Sequence, residues 1–144
     1  MIWLLRHGDA EQGSPDAERP LTDKGRRQAR VAGAALKVLG VEFQACLTSP
    51  KKRAADTATL ACEPLGIEPR EEPKLAGGRF DPIDLAAEAG EDVLLVGHEP
   101  DFSNAVRDLT GGDIDFKKGG VAAIDGAELR VLMRPAELKR IARS

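Results

Sequence analysis

Residues 93–96, Val-Leu-Leu-Val, make an unbroken branched aliphatic run between Asp92 and Gly97. Such a run, bounded by turn-prone residues, is too short for a helix and reads as a strand buried on both faces. A strand of that kind needs helices above and below it. A first apolar run over 2–5, just before Arg6-His7-Gly8, fits the same sheet.

Helical patterns fill the intervals. Thr22 is placed to cap a helix over 23–39, in which Ala29, Ala32, Leu36 and Leu39 recur at helical spacing and Gly40 marks the stop. Residues 43–48 read as a second strand. Ser49-Pro50 then looks like an N-cap followed by proline at the first helical position, with Ala54, Ala55, Ala58, Ala61 and Leu65 giving that helix its inward face. A weak strand is expected over 68–72, a short helix over 83–89, and a helix over 100–109 closed by Gly111-Gly112. The style then changes: 121–124 and 128–132 flank Asp125-Gly126 as a hairpin, and 135–144 can add a helical turn or two. Alternating strands and helices followed by a hairpin predict an α/β fold with a mostly parallel sheet and an antiparallel edge hairpin.

The chain has 144 residues, 42% hydrophobic and 31% charged, which suits one globular domain spanning 1–144. There is no internal repeat, low-complexity tract or linker. No apolar run approaches the ~20 residues needed to cross a bilayer, so no membrane association is expected. The opening MIWLLRHGDA has no basic region before its short apolar stretch, and the expectation is a cytoplasmic protein. A net charge of -3 argues against nonspecific nucleic-acid binding. The densest basic clusters, Lys51-Lys52-Arg53 and Arg26, Arg27, Arg30, are of the size found on solvated helix faces. Cys46 and Cys62, outside any C-x-x-C pair, read as buried small residues and not as metal ligands.

Three strand ends carry the chemistry: Arg6-His7-Gly8, Thr48-Ser49-Pro50-Lys51-Lys52-Arg53, and Gly97-His98-Glu99-Pro100. Ligands in open α/β sheets bind beyond the carboxyl ends of strands. The chain's two histidines both sit there, each beside a glycine, with arginines at two of the three segments. Guanidinium forks suit phosphate oxygens. A helix N-terminus after Ser49-Pro50 would add backbone donors for an anion. A histidine near two guanidiniums has its pKa lowered by like charge and stays neutral and nucleophilic. Gly8 lets the backbone pass close to the imidazole and take its other ring proton.

These residues resemble the histidine phosphatase superfamily, which includes the phosphoglycerate mutases. Arg6-His7-Gly8 is similar to its signature after the first strand. Ser49-Pro50-Lys51-Lys52-Arg53-Ala54-Ala55-Asp56-Thr57-Ala58 is similar to its second arginine motif, and Gly97-His98 to its second-histidine motif. Within the superfamily, Arg6-His7-Gly8-Asp9-Ala10, Arg19-Pro20-Leu21-Thr22, Gly25 and Lys117-Lys118-Gly119-Gly120 resemble the small SixA-type phosphohistidine phosphatases. The resemblance implies a three-layer α/β/α sandwich, no metal and no cofactor. It also implies His7 as phosphorylated nucleophile, with Arg6, Arg53 and His98 binding the phosphoryl group. Gly8, Arg19 and Ser49 are further substrate-binding candidates; Arg19 reads equally as a turn before the first helix.

The mutase-like members carry an acidic proton donor after the second helix. Glu71, Glu72 and Asp81 lie in that segment here, in no recognisable motif. Asp16 and Glu18 of the first loop are the alternatives, each either an acid or a solvated loop residue. A phosphohistidine substrate tolerates a poorly defined acid, because imidazole is a better leaving group than an alkoxide. The favoured expectation is therefore a phosphatase acting on a phosphorylated protein such as a histidine-containing phosphotransfer domain, in signal transduction. A phosphatase for a small phosphate ester and a non-enzymatic phosphate-binding module are the alternatives. An open site suits the protein substrate; a deep walled pocket suits the small one.

Overall fold

A computed structural model describes residues 1–144. Six strands, β1 (Ile2–Arg6), β2 (Ala45–Thr48), β3 (Pro69–Glu71), β4 (Val93–Gly97), β5 (Val121–Asp125) and β6 (Glu128–Met133), form one sheet in the order β3-β2-β4-β1-β5-β6. The first four in that order run parallel. The β5–β6 hairpin closes the other edge antiparallel.

Side-chain alternation splits the core into two layers. Trp3, Leu5, Cys46, Leu94 and Val96 point to one face, where α1 (Asp23–Val38), α2 (Lys52–Leu65) and α5 (Pro135–Ala142) supply Ala32, Leu36, Ala58, Ala61 and Leu138. Leu4, Leu47, Val93 and Leu95 point to the other, against Ala86 of α3 (Pro82–Ala86) and Phe102 and Val106 of α4 (Asp101–Thr110). The result is the three-layer α/β/α sandwich, its mostly parallel sheet ending in an antiparallel hairpin. Leu4, Leu5, Leu94 and Leu95 are completely buried, each worth roughly 1.5–3 kcal/mol. That burial fixes the two central strands whose carboxyl ends carry the histidines.

Local capping follows the sequence at α1. Thr22 Oγ1 accepts from Gly25 N, and Gly40, at φ 77°, takes the chain off the helix. Elsewhere the structure corrects the sequence reading. Ser49-Pro50 does not open α2; the helix starts at Lys52 with Lys51 as a cap lacking a side-chain bond. The Ser49 hydroxyl is engaged on His98 and on Lys51 N, so it cannot cap the helix. The hairpin turn is displaced by one residue. Asp125 pairs with Glu128, leaving Gly126-Ala127 as the central pair. Gly126 at φ 60°, followed by a residue with no positive φ, suits a turn with glycine at its first central position. The second strand is shorter than 43–48, and Phe43, ahead of it, packs edge-on against Trp3 with ring centroids 6.0 Å apart.

Candidate active site

Register brings the three motifs together. Arg6 pairs with Gly97 and Thr48 with Val96, so the carboxyl ends of β2, β4 and β1 lie side by side with β4 in the middle. Backbone bonds continue the alignment past the strands, from His7 N to Gly97 O at 3.0 Å and from Ser49 N to Val96 O at 2.9 Å. His7, Ser49 and His98 therefore leave the sheet as neighbours.

His7 is 7% exposed. Its Nδ1 lies 2.7 Å from Gly8 O. A carbonyl only accepts, so Nδ1 carries the proton and Nε2 keeps its lone pair, with no hydrogen bond of its own. Burial pulls the pKa down to about 4, opposed by the Gly8 bond and reinforced by Arg53, Arg6 and Lys118. The ring is neutral at physiological pH. Desolvation is the larger cause here, and the like charge of the arginines, expected from sequence, is secondary.

His98 faces it, the ring centroids 5.2 Å apart. Burial first, then His7, Arg53 and Lys51, lower its pKa to about 3. His98 Nε2 lies 2.8 Å from Ser49 Oγ, which also accepts from Lys51 N at 3.1 Å. Lys51 N takes one Ser49 lone pair, and the Ser49 hydroxyl can donate to Nε2, the arrangement that places the His98 ring proton on Nδ1.

Four buried side-chain nitrogens have no partner: Trp3 Nε1 in the core and, at the site, Arg6 Nε, Arg53 Nε and His98 Nδ1. The last three belong to the side chains expected to grip a phosphoryl group. Unpaired buried donors are costly, roughly 1–3 kcal/mol each, and an oxyanion satisfies those at the site. Other nitrogens of each guanidinium are held by the protein. Arg6 donates to Phe116 O at 2.7 Å. Arg53 donates to Asp16 O at 2.9 Å and Asp16 Oδ2 at 3.2 Å.

Asp16 is a hub. Its carboxylate also meets Arg19 at 3.1 Å and Lys51 at 3.3 Å. Bonds from Arg19, then Arg53 and Lys51, hold its pKa at about 2, so the free site contains it as an anion. Arg19 further donates to Glu11 O at 2.7 Å, which makes it a brace of the first loop. The Glu18 carboxylate is exposed and makes no hydrogen bond or ion pair. Glu72 and Asp81 bond the nearby backbone amides of Lys74 and Ile83, and Glu71 is exposed on β3. Five surface concavities of about 270 to 460 Å³ lie elsewhere; none is lined by His7, Arg53 or His98.

Comparison with known proteins agrees with this geometry. Residues 2–84 match the family model of the histidine phosphatase superfamily (branch 1). The chain belongs to the histidine phosphatase superfamily. An uncharacterized protein of Picosynechococcus is 32% identical over 90% of this chain and 87% of its own length. Larger curated relatives align over 60 to 71 residues, and the chain spans 21% to 34% of their length. Among solved structures, the protein histidine phosphatase SixA complexed with tungstate superposes with TM-score 0.82 at 26% identity, covering 96% of this chain and 99% of that one. The protein assigned as phosphohistidine phosphatase SixA in Agrobacterium tumefaciens gives TM-score 0.82 at 23% identity, covering 93% and 97%.

For this histidine phosphatase, sequence reading passed over Thr57, whose role the motif gave no reason to guess. Thr57 is fully buried; its hydroxyl accepts from Gly8 N at 3.1 Å and donates to Arg53 O at 2.7 Å. It ties the His7–Gly8 loop to α2. The available signal was its position one helical turn after Arg53. Lys118 was also passed over: it bridges to Asp9 at 3.4 Å and adds positive charge near His7. Gly25 is explained by close approach. A Cβ there would stand 2.0 Å from Asp9 O, and one at Gly8 would stand 2.5 Å from Gly25 O. Both glycines are needed for α1 to abut the His7 loop.

Proposed function

We propose that this protein is a phosphohistidine phosphatase that acts on a phosphorylated protein in the cytoplasm, through a phosphoryl intermediate on His7 and without a metal. The observation that carries the reading is the arrangement around the neutral His7, with Nε2 free and three unpartnered nitrogens on Arg6, Arg53 and His98. His7 Nε2 attacks phosphorus as the substrate P–N bond breaks. The substrate imidazole, already protonated on its other nitrogen, departs as neutral imidazole. Water then attacks phosphorus, inorganic phosphate leaves, and His7 returns to its Nδ1–H form, with Gly8 O holding that proton throughout. Arg6, Arg53 and His98 Nδ1–H meet the charge that spreads over the equatorial oxygens.

Two features favour this substrate over a small ester. The transfer passes between two imidazoles, so nucleophile and leaving group are chemically matched. Asp16, held ionised by three cations, has no proton to lend at neutral pH, and an alkoxide leaving group needs one more than imidazole does. The likeness to the protein histidine phosphatase SixA over nearly its whole length supports the same reading. Free, buried Cys46 and Cys62 are compatible with a reducing compartment.

The test is rapid-quench capture of the intermediate with a phosphohistidine protein. An acid-labile, alkali-stable phosphoryl group should appear on wild type and not on His7→Ala, and turnover should survive chelation. A higher kcat/KM for any of a panel of sugar and nucleotide monophosphates would overturn the substrate assignment.

A further inference from the structure

Beside the site runs a groove of about 380 Å³ between α1 and α5, and its walls carry Lys24, Arg27 and Lys139. All three are exposed and none forms a salt bridge, while the nearby carboxylates are taken up by other cations. Asp23 is held by Arg26, Glu137 by Arg134, and Asp9 by Lys118. The groove is thus an unneutralised cationic strip on a chain whose net charge is -3.

The strip is joined to the nucleophile through Gln28, which forms part of the groove wall. Gln28 Oε1 accepts from Asp9 N at 2.8 Å, two residues beyond His7. Its side chain also packs on Gly119, where a Cβ would stand 2.9 Å from Gln28 Cβ. Gly119 N in turn donates to the carbonyls of Arg6 and His7, each at 3.1 Å. One layer of side chain therefore separates the groove from the loop that bears the nucleophile. Val31 and Pro135 give the groove an apolar floor between the cations.

We infer that the α1–α5 groove is a docking surface for a protein partner whose phosphohistidine is flanked by carboxylates. The inference rests on the phosphohistidine reading above. Carboxylates complement three unpaired cations, the apolar floor accepts the side chains between them, and adjacency to His7 allows one partner to occupy both. Opposed charge of this kind raises encounter rate and sets orientation, with an effect that weakens as salt screens it.

The experiment uses the whole chain and two synthetic peptides of about 20 residues, long enough at ~3.3 Å per residue to reach the groove from the site. Each carries one central phosphohistidine, flanked by glutamates in one and glutamines in the other. Wild type should show a kcat/KM about 10-fold higher for the glutamate peptide, expressed in KM and diminished by salt. The variant K24E/R27E/K139E should lose that preference and still hydrolyse free phosphohistidine at the wild-type rate. K24Q/R27Q/K139Q repeats the measurement if charge reversal prevents folding. Equal kcat/KM for both peptides, or a preference that survives the substitutions, overturns the docking surface and leaves the proposed function standing. If neither peptide is turned over, the proposed function falls, and fluorescence anisotropy of the labelled glutamate peptide decides the groove separately. Binding lost in the variants upholds it; binding unchanged overturns it. Tighter, groove-dependent binding of phosphatidylserine vesicles or duplex DNA than of the glutamate peptide also overturns it.

Discussion

The imidazoles of His7 and His98 stand 5.2 Å apart at the ends of two hydrogen-bonded parallel strands, both buried and both neutral. Their burial makes stability depend on pH. In the unfolded chain each histidine titrates near 6.5, while in the folded protein the values fall to about 4 and about 3. Below pH 6.5 the unfolded state takes up protons that the folded state refuses, so stability falls as pH drops from 6.5 towards 4. At pH 5 the loss is on the order of 2 kcal/mol per histidine. Urea denaturation at pH 7 and pH 5 should show it, and a His7→Asn/His98→Asn variant should show a clearly smaller difference between the two pH values.

Ser49 should set the His98 tautomer. Ser49→Ala removes the partner of His98 Nε2 and frees the ring proton to move between nitrogens. The expected result is a kcat/KM lower by about 10-fold, the equivalent of one hydrogen bond of roughly 1–1.5 kcal/mol. Nitrogen NMR of the His98 ring should show a changed tautomer ratio. Unaltered ring shifts would separate Ser49 from this role.

Thr57 should matter to both stability and rate. Thr57→Val keeps the shape and leaves Gly8 N–H buried without an acceptor, at a cost of roughly 1–3 kcal/mol. Turnover should fall with it, because Gly8 O fixes the His7 proton. Thr57→Ser should restore most of the loss in both denaturation and kcat/KM. A valine variant as stable and active as wild type would contradict the tether.

On the proposed mechanism, Asp16, which pairs with Arg53 at 3.2 Å, competes with substrate for that guanidinium. Replacing it with asparagine removes an anion from the edge of the site, and inhibition by inorganic phosphate should strengthen several-fold. Isothermal titration with phosphate measures this directly. Weaker phosphate binding in Asp16→Asn would mean that the carboxylate organises the cations more than it occupies them.

Much of this molecule was legible in its sequence because the signals were local. The branched run at β4, the helical spacing of Ala29, Ala32 and Leu36, and the glycines after helices each report on neighbouring residues alone. Strand-end placement then pointed to Arg6, His7, Arg53 and His98, since the carboxyl ends of parallel strands share one edge. What only the tertiary structure decided were relationships across the fold. Ser49 bonds a histidine 49 residues away, a partnership that deprives α2 of the cap its sequence suggested. Thr57 reaches Gly8 across the same separation, and Asp16 gathers Arg53 from 37 residues on. The low pKa of His7 belongs here too, because burial is its chief cause and burial is a property of the assembled layers. Local sequence specifies which elements form; register and packing determine which side chains meet and how far water is excluded from them.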